Sequence, residues 1–140
     1  MVIFFGKYTP KYVQDFMLFA CRELKIDGLR GKVFVDTRRR LEDECFGLCH
    51  SDGRFIQIEL ATHVHGEKVT REDRLKTAAH ELTHAKQYLT KKLRPSQKLG
   101  TTIWKNQRHH HPRSEYSAPW EIQARRWEQT LYERYINKEK

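Results

Sequence analysis

Apolar residues recur at Leu75, Ala78, Ala79, Leu82, Ala85 and Leu89. That 3.6-residue repeat predicts a helix with one buried face. Thr70 opens it, with Asp73 three residues on in a capping-box-like arrangement. Lys86 interrupts the apolar face and fits it only if its stem packs while the ammonium reaches water. An earlier helix starts at Thr9 and Pro10, with Tyr12, Val13, Phe16, Phe19, Ala20 and Leu24 on its apolar side. Gly28 and Gly31 are its expected stop. A third helix starts near Ser117 or Ala118, with Pro119 in the first turn and Trp120, Ala124, Trp127 and Leu131 at helical spacing.

Between the first two helices the period changes. Residues 32–36 read as a strand, and residues 45–50 and 54–60 as a hairpin about Ser51, Asp52 and Gly53. Ile56, Ile58 and Leu60 alternate with Phe55, Gln57 and Glu59, the mark of a strand buried on one side. Residues 90–117 are polar, basic and weakly periodic. They read as a long loop, with a short strand near Thr101 to Trp104. The expected architecture is a single α+β domain over residues 1–140, with an N-terminal helix, a small mixed or antiparallel sheet and two later helices.

Opposite the apolar stripe of the second helix lie His80 and His84, with Thr77 and Tyr88. His80-Glu81-Leu82-Thr83-His84 places two imidazoles four residues apart on one face, where both can bind one zinc ion. Glu81 is then placed to act as general base toward water on that ion. A catalytic zinc takes three protein ligands, so another must come from elsewhere in the chain. Glu121 is the best candidate, because it borders the apolar stripe of the third helix and Ala124, one turn on, permits close approach of the two helices. The plainer alternatives are two solvated histidines and a first-turn glutamate that favours the helix dipole.

The segment from His80 to Tyr88, Trp104, and Tyr116-x-x-Pro119-Trp120-Glu121-Ile122-x-Ala124 together resemble small zinc-metallopeptidase-like proteins of the gluzincin type. These are often phage-encoded and sometimes labelled SprT-like. The resemblance covers roughly residues 70–125 and rests on two distant motifs. It implies a minimal zincin-like domain, zinc ligands His80, His84 and Glu121, and Glu81 as base. Gln123 stands where the group usually has a second glutamate. Arg125 stands where larger gluzincins carry an aspartate that orients a histidine, so that support must come from elsewhere. SprT itself uses a histidine as third ligand, so the glutamate pattern is nearer to minimal gluzincins.

Composition adds limits. The chain has 140 residues, 38% of them hydrophobic and 32% charged, with a net charge of +9. Residues 86–140 hold 13 basic and 5 acidic residues, against 14 and 13 in residues 1–85. The positive excess therefore lies around and after the candidate site, where it suits nucleic acid or an acidic protein substrate. No recognised nucleic-acid fold signature accompanies it. No apolar run is long enough to cross a bilayer, and residues 1–5 are too short for a signal-peptide core. A cytoplasmic location follows as an expectation (the host cytoplasm, for a phage protein). Cys21, Cys45 and Cys49 are expected as reduced, small buried residues. A zinc site of Cys45, Cys49 and His50 lacks a completing pair. His63 and His65 read as exposed residues near a strand end, and the run His109-His110-His111 carries no assigned role.

The expected activity is peptide-bond hydrolysis by a zinc metallopeptidase, on protein or peptide substrates that pair along the hairpin as an added strand. Tyr116 is the first candidate for stabilising the oxyanion, with Tyr88 and the loop histidines as rivals. The alternatives are a basic nucleic-acid-associated protein, acting as a protease on DNA-bound proteins, and a non-catalytic module that uses zinc only to fold.

Overall fold

The computed structural model describes residues 1–52, 55–96, 101–110 and 117–138. It is a small α+β fold. Strands β1 (Val2–Phe5), β2 (Lys32–Arg38), β3 (Gly47–Ser51) and β4 (Phe55–Ala61) form a mixed sheet in the order β1-β2-β4-β3. β1, β2 and β4 run parallel, and β3 pairs antiparallel to β4 with Leu48 opposite Glu59. β3 therefore lies at the sheet edge. Helices α1 (Lys11–Glu23), α2 (Arg71–Leu89) and α3 (Pro119–Lys138) pack with one face of this sheet. Val33 and Val35 of β2 and Ile56, Ile58 and Leu60 of β4 enter one core with Phe16, Leu82 and Leu131 of the helices. The opposite face carries Phe4 stacked on Phe34 at 5.0 Å, with Phe55 edge-on to Phe34 at 5.6 Å.

α1 ends before the expected glycines. Lys25 takes a left-handed φ of 60°, and Ile26 N–H bonds back to Cys21 O at 3.0 Å. That reversal closes the helix and buries Ile26 beneath it. α2 begins as the sequence predicts, with the Thr70 hydroxyl accepting from Asp73 N–H at 3.1 Å. It ends by the same device as α1, with Lys91 at φ 59° and Lys92 N–H on Gln87 O. Lys86 is half-buried, its ammonium 5.8 Å from the Trp127 ring. β2 continues two residues past the expected strand, because Thr37 is buried with its hydroxyl 3.1 Å from that of Thr9.

The expected long loop is a correction. Leu93–Pro95 (β7), Thr101–Trp104 (β8) and Gln107–His110 (β9) form an antiparallel sheet, with Leu93 opposite Trp104 and Thr101 opposite His110. Its strands are short and polar, so side-chain periodicity gives little signal, and cross-strand pairing sets it instead. A further two-stranded ribbon, β5 (His63–Val64) and β6 (Glu67–Lys68), turns through His65 and Gly66 at positive φ. His65 N–H donates to Glu44 Oε2, and the His63 ring meets the Thr62 hydroxyl. Among the described residues, no helix is long and apolar enough to cross a membrane.

Candidate functional site

His80 and His84 sit one turn apart on α2, with their rings edge to face and their Nε2 atoms 3.2 Å apart. Glu121, in the first turn of α3, brings Oε2 to 3.0 Å from His80 Nε2 and Oε1 to 2.9 Å from His84 Nε2. The close approach of α3 to α2 is made possible by Ala124, wholly buried one turn beyond Glu121. Residues 41 apart in the chain thus meet at one point, as the helical spacing predicts.

The other nitrogens fix what meets there. Gln87 donates through Nε2 to Trp120 O at 3.0 Å and to Gln123 Oε1 at 2.9 Å. Its Oε1 is therefore the atom facing His84 Nδ1 at 2.8 Å, and Nδ1 carries the hydrogen. Glu128 Oε1 lies 3.3 Å from His80 Nδ1, so that nitrogen also donates. In their neutral form both imidazoles would consequently point bare Nε2 lone pairs at each other and at the Glu121 carboxylate. A cluster made only of acceptors requires a cation, either protons or a metal ion.

Protons produce the expected titration. Burial pushes His80 down, but hydrogen bonds it donates to Glu121 and Glu128 outweigh it and hold its pKa up at about 10. Burial likewise lowers His84, and its bond to Glu121 and the nearby carboxylates raise it overall. Burial pushes Glu121 up, but the two histidines bring it down to about 2. These shifts describe one interaction seen from its partners.

Glu81 occupies a different position. It has an oxygen within 4.8 Å of the ligand atoms of both histidines, yet Glu121 is the carboxylate in direct contact with them. Glu81 is only 6% exposed, and its Oε2 has no hydrogen-bond partner among the described residues. Burial is the main cause of its raised pKa. Edge strand β3 presses on it: a Cβ at Gly47 would stand 3.2 Å from Glu81 Cγ and 2.6 Å from Thr77 Cγ2. The cleft beside the cluster is about 480 Å³, between Gly47, Leu48 and Cys49 on one side and Thr102, Ala118 and Trp120 on the other. Trp120 is packed by Trp104 and His109 of the small sheet.

No protein-family model matches the chain, and no curated protein matches it.

His80, Glu81, His84 and Glu121 are thus brought together. Tyr116 and His111 lie outside the described residues, as does the side chain of His110. Tyr88 is half-buried, and burial first, with Cys49, Glu81 and Glu121 adding to it, raises its pKa to about 12. Cys45, Cys49 and His50 form no cluster: Cys49 lines the cleft and His50 lines a pocket with Phe34 on the other sheet face. Cys21 is buried as expected, but Cys45 and Cys49 are only half-buried, beside the candidate site.

Two functional partners escaped sequence reasoning. Gln87 follows His84 by three residues and Glu128 follows Glu121 by seven, so each shares a helical face with a ligand candidate. That spacing is the signal that could have found them. Glu128 gives His80 the carboxylate that Arg125 does not.

Proposed function

We propose that this chain is a zinc-dependent peptidase, with His80, His84 and Glu121 holding the metal and Glu81 serving as general base. The convergence of two bare imidazole nitrogens and a carboxylate, beside a buried carboxyl oxygen without a partner, carries this reading. The donor set suits zinc. Nitrogen and oxygen ligands about 2.0–2.2 Å from one tetrahedral ion stand roughly 3.3–3.5 Å apart. The separations of 2.9, 3.0 and 3.2 Å therefore have only a few tenths of an ångström to open.

A zinc ion held there acts as a Lewis acid that acidifies water and polarises a carbonyl. Glu81 accepts a proton on its carboxylate and returns it to the leaving amine. Its burial raises its proton affinity toward the range useful to a base near neutral pH. Gln87 and Glu128 hold the imidazoles in the tautomer that leaves Nε2 free. β3 has one strand neighbour, so its outer edge can pair with an extended peptide, with Trp120 and Thr102 opposite.

The test joins elemental analysis to digestion of casein. Glu81→Gln lowers cleavage by about 10²–10⁴-fold and keeps its zinc. Glu121→Ala loses both. Protein that neither retains nor takes up zinc, or a Glu81→Gln variant as active as its parent, would falsify the reading.

A further inference from the structure

A second buried atom without a partner among the described residues lies nearer the start of the same helix. Arg74, in the first turns of α2, is only 7% exposed, and its Nε meets no hydrogen-bond acceptor among the described residues. A buried guanidinium ordinarily pairs with a carboxylate. Here the side chain lines a cavity of about 450 Å³ formed with Tyr12, Lys68, Val69, Thr70 and Arg71. Three cationic side chains share that lining, and among the described residues it contains no acidic one. We infer that this cavity is an oxyanion site that takes a phosphoryl group, free or carried on a small ester.

The backbone adds to the side chains. Thr70 uses its hydroxyl for Asp73 N–H and its carbonyl for Arg74 N–H. The amides of Arg71 and Glu72 stay available at the positive end of the helix dipole. Arg71 stacks its guanidinium 4.5 Å from the Tyr12 ring centre, which fixes the plane while leaving its N–H edges to bond. The nearby Glu72 does not fill the site, since its carboxylate turns to Lys76 at 3.7 Å. Forked guanidinium donors suit the tetrahedral oxygens of a phosphoryl group. The volume exceeds that of bare phosphate and lies within the range of small-ligand pockets, so there is room for an ester group beside Tyr12.

Calorimetric titration at constant ionic strength tests the site, with inorganic phosphate and ribose 5-phosphate as probes. Saturable binding is expected, and Arg74→Met and Arg71→Ala each weaken it about tenfold. Tighter binding of the ester identifies a phosphate monoester as the occupant, and equal binding identifies phosphate itself. Absence of saturable binding to both probes overturns the inference. So does undiminished affinity in Arg74→Met, or in Arg71→Ala, a surface change that leaves the core intact.

Discussion

Near its middle α2 gathers acceptors, and at its N-terminal end it gathers donors. Among the described residues, the two buried side-chain atoms without a hydrogen-bond partner are Glu81 Oε2 and Arg74 Nε. They lie seven residues apart, about 10 Å along the axis. Around Glu81 stand two bare imidazole nitrogens and a carboxylate, which call for a cation. Around Arg74 stand Arg71, Lys68 and free helix amides, which call for an anion. A buried polar atom normally finds a hydrogen-bond partner within the protein, and among the described residues neither of these does. Each side chain is therefore explained better by a ligand than by the fold alone.

The strongest way to sharpen the contrast is to loosen the acceptor cluster while keeping its ligand residues. Gln87→Leu removes the group that orients His84 and strips Trp120 O and Gln123 of a donor. Zinc affinity, measured by chelator competition, is expected to fall toward the upper part of the range of about 10–100-fold seen for such partners. Glu128→Gln, acting across a longer 3.3 Å contact, falls toward the lower part.

Gly47→Ala attacks the same region from the sheet side. The new methyl meets Thr77 Cγ2, Glu59 O and Glu81 Cγ, so the edge strand must retreat. Denaturant unfolding should show a loss of about 1–3 kcal/mol, with casein cleavage falling alongside. Substitution at Gly66, where a Cβ meets nothing within 4 Å, provides the control for steric crowding alone, although its φ of 80° carries its own strain.

How far these contacts could be foreseen differs between the two regions. His80, His84 and Glu121 were legible because helical spacing puts each on a known face, and a zinc site needs three ligands. Their orienting partners Gln87 and Glu128 obey the same spacing, but many polar residues do so on any helix, and the resemblance pointed to position 125 instead. The Arg74 cavity was not legible, because it depends on Tyr12 of another helix and on Lys68 of the β5–β6 ribbon. Within the fold, alternation at Ile56, Ile58 and Leu60 revealed a strand and its buried side. It carried no information on the parallel pairing with β2, which arises because β3 folds back onto the outer edge of β4. In the β7–β9 sheet the strand at Thr101–Trp104 was legible, whereas its partners Leu93–Pro95 and Gln107–His110 are too short and irregular to give a usable period.

A smaller effect should separate protons from metal in the acceptor cluster. In metal-free protein, His80 rises from its ordinary 6.5 to about 10, so its stabilisation is complete below pH 6.5 and is lost as pH rises through 10. Glu121 falls from 4.5 to about 2, so its stabilisation is complete above pH 4.5 and is lost as pH falls through 2. The shared interaction therefore contributes most between pH 4.5 and 6.5. Thermal unfolding with chelator should show that plateau. Added zinc should move the optimum to higher pH, because metal binding displaces the protons.

Smallest of all is the expected effect at the donor end without ligand. Arg74→Met removes an orphaned buried donor, so stability in phosphate-free buffer should hold steady or rise by about 1 kcal/mol. A loss greater than that would show that Arg74 already has a structural partner, and the contrast between the middle of the helix and its N-terminal end would disappear.

The acceptor cluster draws one carboxylate from the opening turn of α3 and anchors it on α2, with Leu131 and Tyr135 packed further along. Charge neutralisation at that point and attachment of the C-terminal helix are thus a single event. Stripping the cation should first quicken amide exchange along the opening turns of α3, well before the rest of the molecule loosens.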